Sequence, residues 1–180
     1  MNDGLIPRRY AKALLKVAIE RHDDKRIYQL SNTLYDSFAS CPALQNTLSN
    51  PFIASDKKIE LLMTASGASA SDSTFSDFLQ LLKKNERLDL ARDIARSYCD
   101  DYRKANNIYR VTVTAAAKMA EAEENRLKQL IVSHLNGGTM EYTFKVDPEL
   151  IGGFTVTIDS EKLDTSVKNQ LEQLRLKLLG

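Results

Sequence analysis

Glycine usage and hydrophobic periodicity change together along this chain, and that change constrains its fold more than any motif does. Only Gly4 and Gly67 precede residue 136, whereas Gly137, Gly138, Gly152, Gly153 and Gly180 follow it. Up to about Ala105 every credible element has helical spacing, and from Ile108 onward segments of period two appear. The turn-prone pair Asn106-Asn107 marks the expected boundary.

The first segment carries Pro7 in its opening turn and is expected to run as a helix to about His22. Its apolar residues Tyr10, Ala11, Ala13, Leu14, Leu15, Val17, Ala18 and Ile19 cover an arc of roughly 240° at about 100° per residue. A helix on the surface of a small bundle needs a stripe nearer 100°, so this one has apolar area to spare. A second helix is expected from Asp23-Asp24, with Ile27, Leu30, Leu34 and Phe38 at core spacing, ending before Cys41-Pro42. A short third helix holds Leu44 and Leu48. Ser55 is the expected cap of a fourth, with Ile59, Leu62 and Met63 inward and Gly67 at its end. The small-residue linker from Ala68 to Ser73 leads to a fifth helix, on which Phe75, Phe78, Leu79 and Leu82 form one stripe and Leu81 lies off it. Leu88, Ala91, Ile94, Ala95, Tyr98 and Tyr102 mark a sixth.

Beyond the boundary, Tyr109, Val111, Val113 and Ala115 alternate with polar residues, as a half-buried strand requires. Met119, Ala122, Leu127, Leu130, Ile131 and Leu135 return to helical spacing. Met140, Tyr142, Phe144 and Val146 form a second alternating run, and Phe154, Val156 and Ile158 a third. Val167, Leu171, Leu174 and Leu178 follow at spacings of four, three and four, which suit either a coiled-coil seam or a stripe covering the small sheet. The expected fold is α+β: an all-α six-helix bundle over residues 1–105, then a small α/β domain over residues 106–180 in the order strand, helix, strand, strand, helix.

The 180 residues include 25 Lys plus Arg and 24 Asp plus Glu, for a net charge of +1. That balance removes the long-range attraction on which a dedicated nucleic-acid binder or a polybasic membrane binder relies. No stretch approaches the roughly 18 to 20 apolar residues of a membrane span, and the amino terminus lacks a signal-peptide pattern, so a soluble, unexported, cytoplasmic chain is expected.

Catalytic chemistry finds no foothold. His22 and His134 lie in different expected domains, and Cys41 and Cys99 are isolated from each other and from either His, which argues against a metal site, a disulfide framework or a Cys-His nucleophile. Asp23-Asp24 and Asp100-Asp101 are helical neighbours pointing about 100° apart, unable to share one substrate. Gly152-Gly153 lacks both phosphate-loop patterns and precedes a strand, so a bulge or sharp turn is expected there. Arg8-Arg9 and Lys83-Lys84 read as solvated surface. No enzyme, cofactor or metal is expected.

Two stretches resemble the delta subunit family of the F-type ATP synthase, whose mitochondrial relative is the oligomycin-sensitivity-conferring protein. RYAKALLKVA, from Arg9 to Ala18, is similar to that family's opening helix. The run VDPELIGGFTVTIDSEKLDTSVKNQLEQLRLKLL, from Val146 to Leu179, is similar to its carboxy-terminal signature. FLQLLKKNERL and YRVTVTAA fit between them, with one departure at Glu86, where the family frequently has Gly. The resemblance implies a non-catalytic stator subunit, peripheral on the cytoplasmic side of the cell inner membrane and monomeric within the complex. It further implies a groove between the first and fifth helices that accepts the amino-terminal helix of an alpha subunit. Carried onto this sequence, the groove would be lined by Tyr10, Ala13, Leu14, Val17, Phe78, Leu81 and Leu82. Of these, Leu14, Phe78 and Leu82 are equally readable as bundle core. The stalk's b subunits would meet the carboxy-terminal domain, at Val167, Leu171, Leu174 and Leu178. The alternative is an RNA-binding helical bundle of the antitermination-factor type. It needs a basic face, and residues 1–105 hold 16 Lys plus Arg against 14 Asp plus Glu.

Overall fold

A computed structural model describes residues 4–171 apart from 70, 136, 168 and 170. The chain divides into two compact units, residues 1–103 and 104–180. The class is mixed α and β, with seven α-helices and one four-stranded sheet among the described residues.

The first unit contains α1 (Leu5–Glu20), α2 (Asp24–Ser40), α3 (Ala43–Ser49), α4 (Ser55–Ser66), α5 (Ser73–Lys84) and most of α6 (Ala91–Ala105), which a 3-10 turn at Leu88–Leu90 introduces. Its core is assembled from the apolar stripes of these helices: Leu14 and Ala18, Leu30 and Leu34, Leu62, Phe75, Leu79 and Leu82, and Ile94 are all buried. Tyr98 is sealed among them with its hydroxyl donating to the Asp24 carbonyl at 3.1 Å, so the one polar atom that this large side chain brings inside is satisfied. Burial pushes its phenol pKa up.

Helix α1 ends at Glu20, two residues earlier than expected, because His22 takes a left-handed φ of 59°. The Asp23 N–H then reaches back to the Ala18 carbonyl at 2.8 Å, closing the end. Gly67 closes α4 as expected, at φ 68°. The expected Ser55 cap is corrected: Ala54 occupies the cap position, Ser55 is the first helical residue, and no side chain caps the helix. The linker before α5 is tied down at Asp72. Its carboxylate accepts a two-pronged bond from Arg26, at 2.8 and 3.0 Å, and the Ser69 N–H at 2.8 Å. The Arg26 bonds hold that carboxyl well below the usual carboxylate range.

Helix α5 ends on a residue poorly suited to its place. Glu86 has φ 55°, and the bonds from Arg87 N–H to the Leu82 carbonyl (2.9 Å) and from Glu86 N–H to the Lys83 carbonyl (3.0 Å) lock it there. A side chain with a Cβ in this left-handed conformation costs about 1 kcal/mol relative to glycine. The Glu86→Gly variant is therefore expected to be more stable, by about 1 kcal/mol, in chemical denaturation.

The second unit opens with β1 (Ile108–Ala115), crosses through α7 (Glu121–His134) to β2 (Thr139–Val146), and continues to β3 (Phe154–Ile158) and β4 (Glu161–Asp164). The sheet order is β2-β1-β3-β4; β1 and β2 are parallel, and the other two pairings are antiparallel. A right-handed helical crossover is the ordinary way to join parallel neighbours, which explains the position of α7. Ile131 of α7 and Leu135, just past its end, pack on Val111 and Val113 of β1 and Val156 of β3.

Strand β4 corrects the expected order. Four residues rich in charge give no alternating signal, yet Ile158 and Glu161 pair across the two-residue loop Asp159-Ser160, with Asp159 at φ 49°. Gly152-Gly153 makes the expected sharp turn into β3. Gly153 sits at φ 74°, and a Cβ there would stand 2.6 Å from the Thr165 carbonyl oxygen.

After β4, Asp164 accepts from the Ser166 hydroxyl at 2.6 Å and N–H at 3.0 Å, and Ser166 Oγ accepts the Asn169 N–H at 3.2 Å, so side-chain bonds hold the turn that follows the strand. Of the expected seam, Leu174 and Leu178 lie outside the described residues. The Ser166 bonds, followed by Lys162, lower the Asp164 pKa from 3.8 to about 2. A carboxyl whose pKa is depressed by folding stabilises the fold above its unfolded value and loses that contribution as pH falls toward the folded one. Between about pH 4 and pH 2 the turn after β4 is expected to loosen, and Asp164→Asn should remove that acid-dependent step from amide exchange of the Ser166 and Asn169 N–H groups.

Candidate functional site

Helices α1 and α5 run side by side and antiparallel, fastened near both ends by polar contacts. At one end Tyr10 meets Phe78 edge to face, with ring centroids 6.5 Å apart at 69°, and its hydroxyl accepts from Asn85 Nδ2 at 3.0 Å. At the other, Arg21 donates to Asp77 at 3.1 Å and to Thr74 at 3.4 Å, while the Thr74 hydroxyl donates to Asp23 at 2.7 Å. These ties fix the separation and register of the two helices.

Between the ties the sequence-expected residues separate into two levels. Leu82 at 0 %, Leu14 at 4 % and Phe78 at 9 % exposure are core residues and form the floor. Ala13 is exposed, Tyr10 is half-buried, and Val17 at 39 % and Leu81 at 46 % stand open to solvent. Tyr10, Ala13 and Val17 recur at intervals of three and four on α1, so they share one face, and Leu81 rises from α5 beside Phe78 at i+3. The result is an apolar strip with a low centre at Ala13, where only a methyl group covers the backbone. Such a shape admits the ridge of another helix, and its polar ends can pair with that helix's flanks.

Asn85 and Asp77 were not legible as part of this strip. Periodicity finds apolar residues, and the polar closures at the strip's ends carry no period.

Beyond β4, Val167 at 37 % and Leu171 at 54 % are exposed. Ile151 at 71 % and Leu163 at 62 % add exposed apolar area in the same unit. Among the described residues, no group of three or more His, Cys, Asp or Glu side chains is placed to hold a metal ion, and no helix is long and apolar enough to cross a membrane.

The family model for the ATP synthase delta (OSCP) subunit matches residues 6–178. The chain belongs to that family. The ATP synthase subunit delta of Phocaeicola vulgatus is 34 % identical over 177 residues, covering 98 % of this chain and 95 % of that one. That of Parabacteroides distasonis is 35 % identical over 179 residues, covering 99 % and 98 %. In fold, the chain is similar to one in the cryo-EM structure of the Toxoplasma gondii mitochondrial ATP synthase hexamer, with a TM-score of 0.74 and 19 % identity over 97 % of each chain. This delta-family chain is a non-catalytic part of an ATP synthase and serves in its stator, the peripheral stalk assembly. Nothing in these relationships supports the RNA-binding alternative.

Proposed function

We propose that the α1–α5 strip receives the amino-terminal helix of an alpha subunit and that the carboxy-terminal unit receives the b subunits of the stalk. The division of labour follows the chain: residues 1–105 grip the catalytic head, as a six-helix bundle, and residues 106–180 grip the stalk. One copy joins the two, at the cytoplasmic side of the inner membrane, without entering the bilayer.

The mechanism is mechanical. Proton flow turns the rotor, and torque delivered to the head does useful chemistry only if the head is kept from turning with it. A tether that resists torque needs tight, oriented interfaces rather than reactive groups. The observation carrying this reading is that Tyr10, Ala13, Val17 and Leu81, all apolar and accessible, share one strip whose floor and ends are already built. An incoming amphipathic helix would lay its apolar ridge over Ala13, while the Tyr10 hydroxyl stays wet at the rim.

A photo-crosslinking side chain placed in the assembled synthase tests both assignments. At Leu81 it is expected to capture the alpha subunit, and at Leu171 a b subunit. Capture of b from Leu81, or of alpha from Leu171, overturns the arrangement.

A further inference from the structure

Five residues other than glycine adopt a positive φ among the described residues, and four of them are polar: His22, Glu86, Asn107 and Asp159. The fifth is Ile151, at φ 64° and ψ −37°. Asn, Asp and His visit this half of conformational space comparatively often, whereas a β-branched side chain there is a genuine outlier. The Gly152 N–H donates to the Leu150 carbonyl at 2.7 Å, which makes Ile151 the central residue of a γ-turn of the positive-φ kind, rare and strained.

The surroundings hold the turn in that state. Before it, the Asp147 N–H donates to the Ala115 carbonyl at 2.8 Å, and the Asp147 carboxylate accepts the Glu149 N–H at 3.0 Å. The Ile151 N–H donates to the Pro148 carbonyl at 3.2 Å, and after the turn the Val167 N–H donates to the Gly152 carbonyl at 3.0 Å. The two glycines that follow Ile151 have steric reasons to be glycine, since a Cβ at Gly153 meets the Thr165 carbonyl and one at Gly152 would press on Val167 Cγ2 at 3.0 Å. Ile151 has no comparable reason to be isoleucine. Its side chain is 71 % exposed and is not among those packed on the second unit's core. The fold therefore bears a strained backbone to carry this side chain outward and gains no burial from it. Strain that neighbouring bonds over-determine in this way clusters at functional surfaces.

The position of the side chain decides what it can meet. Val167 lies over Gly152, so Ile151 and Val167 flank one bare glycine and form a single apolar knob. Val167 is itself 37 % exposed and belongs to the surface through which the second unit is proposed to meet the stalk, so the knob continues that surface. The same turn carries Asp147 and the exposed Glu149, and residues 146–161 contain no Lys or Arg, which favours a partner with a basic flank. A knob held by a rigid turn can enter the space between side chains of a helix without a further ordering cost.

We propose that Ile151 is the anchor by which the second unit takes hold of a b subunit. Its side chain inserts between apolar side chains of an amphipathic b helix, beside Val167, and a Lys or Arg on the flank of that helix pairs with Glu149. This rests on the assignment of the b subunits to the second unit, and adds the residue that grips and the chemistry of what it grips.

Titration of the full-length chain with the purified b subunits of its synthase, beside denaturant unfolding of the chain alone, separates an anchor from a turn that is merely strained. Ile151→Gly should raise the unfolding midpoint, because the strain is relieved, and lower the affinity for b about tenfold, because the side chain is gone. Ile151→Ala keeps a Cβ and a stiffer backbone and should lose a similar factor, whereas Ile151→Leu should stay within about threefold of the wild type. Glu149→Lys should weaken binding by about threefold. A higher midpoint in Ile151→Gly with unchanged affinity overturns the proposal, as does a loss of affinity that Ile151→Ala does not share, or binding that Glu149→Lys leaves as it was. A photo-crosslinking side chain in the assembled synthase keeps the anchor apart from the assignment beneath it. Capture of b from both position 151 and position 171 is expected. Capture from position 171 alone removes the anchor and leaves the stalk assignment standing, and capture from neither removes both.

Discussion

Ala13→Glu should abolish binding of an alpha-subunit amino-terminal peptide while leaving the chain as stable and as helical as before. Ala13 is exposed, at the low centre of the strip between α1 and α5. Alanine to glutamate on a solvent face of a helix costs a few tenths of a kcal/mol in propensity, and Arg9 one turn earlier returns part of that as an i,i+4 pair. Once a foreign helix lies over Ala13, the carboxylate is trapped against apolar side chains with no partner. Burying an unpaired charge costs several kcal/mol, and each 1.4 kcal/mol is tenfold in affinity, so a loss of about 100-fold or more is expected. Ala13→Ser, small and uncharged, should retain most of the affinity. Calorimetry with the full-length chain and the peptide, beside circular dichroism of each variant, gives the result. Affinity like that of the wild type in Ala13→Glu would remove the strip from consideration as the head-binding surface.

The sequence shows an excess of apolar residues on the first helix without showing where on the folded surface the excess lies. Leu14 and Ala18 go inward, Tyr10 meets α5 at Phe78 and Asn85, and Ala13 and Val17 share its face; Leu5 at 55 % and Ile19 at 52 % are exposed as well. A wheel registers the width of an apolar arc. Which part of the arc is covered depends on neighbours that helical periodicity cannot name, and the Tyr10–Asn85 bond and the Arg21–Asp77 pair that align α1 with α5 join residues 75 and 56 positions apart. Strand β4 escaped for a different reason. Its residues Glu161, Lys162, Leu163 and Asp164 carry no alternation, and only pairing with β3 makes them a strand. Where local chemistry suffices, as with Gly67 at the end of α4 or the turn at Gly152-Gly153, sequence and structure agree. The Ser55 cap shows the limit even there, since the chain enters α4 with Ala54 in the cap position.

Adjacent leucines on α5 should give opposite phenotypes. Leu82 is wholly buried against α1 and the rest of the first unit's core, whereas Leu81, turned about 100° away, is 46 % exposed. Truncating Leu82 to Ala removes buried methyl groups and leaves a cavity in a close-packed interior, at a cost of about 2–5 kcal/mol. Its unfolding transition should fall accordingly, while the fraction that remains folded still binds peptide with near-normal affinity, because the rim is unchanged. Leu81→Ala removes area that water already reaches, so stability should shift by no more than about 0.5 kcal/mol. Its cost appears only in the complex. A docking helix buries the 46 % of this side chain that water still reaches, which contributes about 0.7–1.4 kcal/mol, or roughly threefold to tenfold in affinity. Denaturant titration and calorimetry on the same two variants separate the roles. Loss of stability in Leu81→Ala, or loss of intrinsic affinity confined to Leu82→Ala, would invert floor and rim and contradict the site as built here. The comparison is sharp because a shift of one position along the helix, with no change in side-chain chemistry, exchanges a residue that holds the fold together for one that holds the partner.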